Sequence, residues 1–262
     1  MREAHDGAAR HLREWTAGKD IASTDVERVL AGLEALERGD HPGLPPDSPD
    51  PTCPLPGLTS RPWWTPESFP WAAALLAEAE AIREEYFAVS SQLTRSEALR
   101  SPKESGRLRA SGRWTTVQLY HLGQRQALAS SFPIAAASLQ RVAEQPCGMV
   151  FFSTLEPGSK IEPHTGYTNA HLRVHLVIKP NEGARFRVAD EWRAWKDHEL
   201  LVFDDTFEHE AVNEGDDERV VLLFDIWHPD LSEIERLAFQ ESMDFFRKAR
   251  ARHHLLHALA NG

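Results

Sequence analysis

The chain has 262 residues, 41% hydrophobic and 26% charged, with a net charge of −11 and two cysteines. That length accommodates one large domain or a medium domain with an extension. The negative balance excludes a general nucleic-acid backbone binder, and the widely separated Cys53 and Cys147 exclude a disulfide scaffold and fit a reducing compartment.

No apolar signal core follows Met1, and the most apolar run, Val220 to Phe224, is too short to span a bilayer. A soluble cytoplasmic protein without a membrane partner is therefore expected. Residues 1–41 read as a helical extension. Thr24 and Glu27 have capping-box spacing, Val26, Val29, Leu30, Leu33 and Leu36 form an apolar stripe, and Gly39 closes the helix. The stripe calls for a partner surface, either the main domain or a second subunit in a homo-oligomer built through these helices. Residues 42–56 carry proline at positions 42, 45, 46, 49, 51, 54 and 56, a stiff connector. The main domain is expected over 57–230 and a C-terminal helix over 231–262.

Trp63 and Trp64 read as a packed corner, and Phe69 to Val89 as a helix carrying Trp71, Leu75, Leu76, Ala79, Ile82 and Tyr86. Gly112 to Tyr120 alternates as a strand, and Ala127 to Ala137 predicts a loop leading into a short helix. Short strand-like runs then follow at Met149–Leu155, Leu172–Ile178, Ala184–Val188, Glu199–Phe203 and Val220–Ile226. Turn signals lie at Pro157-Gly158, Asn181-Glu182-Gly183 and Asn213-Glu214-Gly215. Short strands without intervening helices predict a mainly β fold with flanking helices, a sandwich or barrel. Ser232 and Glu235 form a second capping box, before an apolar stripe of Ile234, Leu237, Phe245 and Phe246.

The chemistry concentrates around the strand Leu172–Ile178. Period-two alternation puts Arg173 and His175 on one face and Leu172, Val174 and Leu176 on the other. His164 lies in the loop before this strand, and His209 sits in a comparable setting between two later strands. Two neutral imidazoles from different strand edges suit a transition metal, and Arg219, entering the run Val220–Phe224, suits a carboxylate.

Three ordered motifs carry a resemblance. Pro163-His164-Thr165-Gly166-x-Thr168-Asn169-x-x-Leu172-Arg173-x-His175-Leu176, Phe203-Asp204-Asp205-x-Phe207-Glu208-His209-Glu210 and Asp225-x-Trp227-His228-Pro229-Asp230-Leu231 resemble the aspartyl/asparaginyl β-hydroxylase family. The likeness runs from Pro56 to Leu231 and leaves residues 1 to about 50 outside. It implies an Fe(II)- and 2-oxoglutarate-dependent dioxygenase on a double-stranded β-helix, a cupin-like jelly roll. His164 and His209 would ligate and activate the iron. Gly166 stands where most relatives in the wider superfamily keep a carboxylate ligand, with Glu162, Asp205 and Glu208 as conceivable replacements. Arg219 and Ser153 would hold the distal carboxylate of 2-oxoglutarate and His175 the carboxylate near the metal. Arg173 would face that carboxylate or the substrate's acid group.

Trp114, Thr116 and His171 would line the substrate pocket. His171 stands where animal members carry an arginine, and Thr116 replaces a longer amide. The resemblance thus implies hydroxylation at the β-carbon of an aspartyl, asparaginyl or related unit, free, peptide-borne or tethered to a carrier protein. An acyl-chain hydroxylase of the same family and a non-catalytic metal-binding β-barrel are the alternatives.

Overall fold

The computed structural model describes residues 7–40, 54–92, 96–97, 110–142 and 147–260. Most of the proline-rich connector therefore lies outside the described residues. The described chain divides into two compact units. Residues from 1–60, 166–170 and 228–262 form one; those from 61–165 and 171–227 form the other. This cut differs from the linear expectation, because the start and end of the expected main domain, and a five-residue segment inside it, belong with the helices.

The first unit is helical. α1 (Ala8–Ala17) and α2 (Glu27–Arg38) pack with α6 (Glu233–Ala260). The stripe Val26, Val29, Leu30, Leu33 and Leu36 is buried throughout. Its partner surface is thus found within the chain. The capping box at Thr24 does not form: a 3-10 turn over Ser23–Val26 absorbs Thr24, and no side chain caps α2. Gly39 ends α2 at φ 84°, a left-handed conformation that costs glycine little. The second box does form, with Ser232 N–H donating to Glu235 Oε2 at 2.8 Å and Glu235 N–H to Ser232 Oγ at 3.2 Å. The buried face of α6 is Ala238, Phe239, Ser242 and Phe246, so the expected stripe is shifted, and Leu237 is exposed. Asn169 is fixed in this unit by bonds to both the N–H and the carbonyl of Leu55.

The second unit holds two sheets. The larger runs β1 (Trp63–Trp64), β11 (Leu200–Phe203), β8 (His171–Lys179), β13 (Arg219–Trp227), β6 (Val150–Leu155), β4 (Trp114–His121) and β2 (Ser96–Glu97), with β5 (Gln124–Arg125) beside β4. The smaller runs β10 (Glu191–Ala194), β9 (Ala184–Val188), β12 (His209–Asn213), β7 (Ser159–His164) and β3 (Ala110–Ser111). Every pair is antiparallel, and from β6 to β13 the strands pass back and forth between the sheets. This is a double-stranded β-helix.

The larger sheet is covered on both sides, which explains why β13 reads as a nearly continuous apolar run. Its outer face, with Leu172, Val174, Leu176, Leu222 and Phe224, packs with Leu75, Ile82, Tyr86, Phe132 and Leu139. These last come from α3 (Ala72–Ala77), α4 (Ala79–Ser90), α5 (Pro133–Val142) and the residue before α5. The helix expected over Phe69–Val89 is two helices, interrupted at Glu78, whose carboxylate bonds Ser138 and Arg141 on α5. The inner core gathers Leu155, Val177, Phe186, Trp195, Leu201, Phe203, Val221 and Leu223 between the sheets. Strands β7, β10 and β12 escaped sequence reading because their sparse apolar residues give no clean alternation. Among the described residues no helix is long and apolar enough to cross a membrane.

Candidate functional site

His164 ends β7 and His209 begins β12, and the two residues are direct cross-strand partners. Their ring centroids lie 4.1 Å apart. The register slips beside them: His209 and Ala211 face His164 and Ile161, leaving one extra residue on β7. Pro163, which has no N–H to give the ladder, falls within that bulge.

Each imidazole is oriented by the same local device. His164 Nδ1 bonds the carbonyl of Glu162 at 2.8 Å, and His209 Nδ1 bonds that of Phe207 at 2.9 Å. A carbonyl only accepts, so Nδ1 carries the proton and each Nε2 keeps its lone pair. Burial pulls the His164 ring down to about 4, helped by Arg173, and holds His209 well below its ordinary value, helped by His164. Both are neutral at pH 7, the form in which imidazole ligates metals. Among the described residues no group of three or more histidines, cysteines or carboxylates is arranged to hold a metal ion.

On the inner face of the larger sheet, Arg219 is 1% exposed. Its Nη1 donates to the carbonyl of Ser153 at 3.3 Å, and its Nε has no partner. Its guanidinium lies over the Trp195 ring, 4.2 Å from the centroid. Burial lowers it to about 9, so it remains charged at neutral pH. Among the described residues no carboxylate pairs with it. His175 is buried, and its Nδ1 accepts from Trp195 Nε1 at 3.2 Å. Desolvation and Arg219 keep that ring neutral as well. Ser153 Oγ accepts from Trp114 Nε1 at 2.9 Å, and Thr116 lies opposite Ser153 across the β4–β6 ladder.

Arg173 is held between two carboxylates. It donates through Nε and Nη2 to Asp225 at 2.9 and 3.4 Å, and its Nη1 lies 3.0 Å from Asp205 Oδ2. Asp205 is therefore engaged with a cation, and burial raises its carboxyl to about 7. Glu162 and Glu208 pair with Lys160 and Arg187. His171 packs edge-on against Trp227 at 4.7 Å, and burial lowers it to about 4. It is therefore a neutral ring at pH 7.

The structure thus brings His164 together with His209, Arg219 with Ser153, and Ser153 with Trp114. Sequence reading missed Trp195, a tryptophan in a short connection with no periodicity to mark it. It also missed the partners of Arg173, which lie far along the chain.

The model of the aspartyl/asparaginyl beta-hydroxylase family matches residues 77–229. The mouse aspartyl/asparaginyl beta-hydroxylase is 34% identical over 69% of this chain and 25% of its own length. An ornithine lipid ester-linked acyl 2-hydroxylase of Rhizobium tropici is 32% identical over 66% of this chain and 62% of its own. The chain thus spans about a quarter of the length of the mammalian aspartyl/asparaginyl hydroxylases it matches. Among solved structures, a 2OG-Fe(II) oxygenase family oxidoreductase from Burkholderia pseudomallei is similar at a TM-score of 0.41 and 11% identity, covering 61% of this chain and 92% of that one.

Proposed function

The chain belongs to the aspartyl/asparaginyl β-hydroxylase family, and from that premise we propose that it is an Fe(II)- and 2-oxoglutarate-dependent hydroxylase. Its substrate is the β-carbon of an aspartyl, asparaginyl or related amino-acid unit, free, in a peptide or on a carrier protein. The observation that carries the reading is the pairing of two pre-oriented neutral imidazoles with a buried arginine whose Nε has no partner. A metal suits the first and an anion suits the second.

In this reading His164 and His209 hold iron through Nε2, each Nδ1 being already committed. Gly166 has no side-chain donor, so water would fill the remaining positions. Arg219 takes the distal carboxylate of 2-oxoglutarate, with the Ser153 hydroxyl beside it. The indole of Trp114 donates to Ser153 Oγ and so frees that hydroxyl's own proton to point at an anion. His175 offers Nε2–H to the carboxylate near the metal. Arg173, clamped by Asp225 and Asp205, presents a fixed donor rather than a mobile charge. Trp114, Thr116 and neutral His171 line the substrate side, where recognition proceeds by shape and neutral hydrogen bonds. When bound, iron and 2-oxoglutarate supply the oxidation: O2 is consumed, 2-oxoglutarate becomes succinate and CO2, and one oxygen atom enters the substrate.

The test supplies Fe(II), 2-oxoglutarate and air with a panel of aspartyl, asparaginyl and acyl candidates. Succinate formation and a mass gain of one oxygen on an amino-acid candidate are expected. Oxygen incorporated only into acyl chains would shift the assignment to lipid, and no succinate with any candidate would favour a metal-binding barrel without turnover.

A further inference from the structure

We propose that Trp195 is the positioning residue of the 2-oxoglutarate site, fixing the proton of His175 with its indole N–H and the plane of Arg219 with its ring face. The inference rests on the reading above that these two donors receive the cosubstrate.

Trp195 Nε1 carries only a donor hydrogen, and it points at His175 Nδ1, 3.2 Å away. A neutral imidazole has one N–H. With Nδ1 accepting, that hydrogen sits on Nε2. His175 therefore presents a donor to a carboxylate, whereas the opposite tautomer would present a lone pair and repel it. The face of the same indole lies under Arg219 at 4.2 Å, an attraction between cation and ring that also orients the guanidinium. Its Nη1 is directed to the Ser153 carbonyl, and its partnerless Nε remains for a ligand. Trp195 is itself immobilised: it is 2% exposed and stacks on Phe186 with centroids 5.4 Å apart. One side chain, between β10 and β11, thus sets both donors before any anion binds.

Two substitutions separate the roles. Trp195→Phe keeps an aromatic face and removes the N–H, and Trp195→Leu removes both. In metal-free protein labelled with 15N-histidine, wild-type His175 is expected in the Nε2–H form alone, and Trp195→Phe to show a mixture of tautomers. With Fe(II) under nitrogen, the dissociation constant for 2-oxoglutarate should rise about fivefold in Trp195→Phe. It should rise about thirtyfold in Trp195→Leu, where the cation–ring contact is lost as well. KM for 2-oxoglutarate should follow, with kcat nearly unchanged. Trp192→Phe, at the exposed tryptophan of β10, should match wild type.

A His175 that keeps the Nε2–H form in Trp195→Phe overturns the proposal. So does an unchanged dissociation constant in that variant, which carries the test should Trp195→Leu fail to fold. A tautomer shift and weakened 2-oxoglutarate binding in a protein that never forms succinate would sink the hydroxylase reading and leave the positioning role standing.

Discussion

His164 and His209 each bond the carbonyl two residues before them, so their chemistry is settled locally. Replacing either with alanine is expected to abolish iron-dependent succinate formation while the fold survives, as circular dichroism would check. His171 governs a different property. Its folded value of about 4 lies below the ordinary 6.5, with the Asp225 carboxylate raising and Arg173 lowering it beside the dominant burial. The unfolded chain therefore binds the extra proton between those values, and stability is lost as pH falls from 6.5 toward 4. His171→Asn should flatten that part of the urea-stability profile of the metal-free protein. A difference curve that is level across the window would refute the assignment. At this scale the sequence marked both histidines, Arg219 and Ser153. It could not mark Trp195, because the contacts that give Trp195 meaning are made by residues on other strands.

The element that organises the site is β8, flanked by β11 and β13. Its alternation was legible: Leu172, Val174 and Leu176 pack outward with the helices, and Arg173 and His175 face the space between the sheets. The ion triad it nucleates was not legible, since Arg173 and Asp225 are 52 residues apart and meet only through the β8–β13 register. Asp225 also accepts from Met149 N–H at 2.8 Å, made accessible by Gly148, where a Cβ would collide with the Asp225 carboxylate. Asp225→Ala is expected to cost about 3 kcal/mol in urea denaturation, because it strips one anion from a buried cation. Gly148→Ala should cost less and act through the same triad. If Asp225→Ala denatures at the wild-type urea midpoint, the triad does not brace these strands. The bulge at Pro163 was equally hidden. Proline in a strand signals an interruption, and only the pairing of β7 with β12 gives it a place beside the His164–His209 pair.

For the whole molecule, the linear order of domains is a poor guide to its compact units. The N-terminal stripe was readable from periodicity, and its partner α6, more than 190 residues later, was not. Leu33→Ala is expected to destabilise the helical unit by about 3 kcal/mol through the cavity it leaves. Faster amide exchange in α1, α2 and α6 would show it, and unchanged exchange there would contradict this packing. The burial of Arg219 also bears on the stability of the whole protein. A charge taken out of water without a counter-ion weakens the protein that carries it, and any dianion that reaches it repays part of that penalty. On the proposed reading 2-oxoglutarate is that dianion, and the melting temperature should climb with its concentration even when iron and oxygen are withheld. Arg219→Met should melt higher than wild type when empty and gain nothing from the diacid. The resistance of this protein to unfolding is thus expected to track the supply of its proposed cosubstrate.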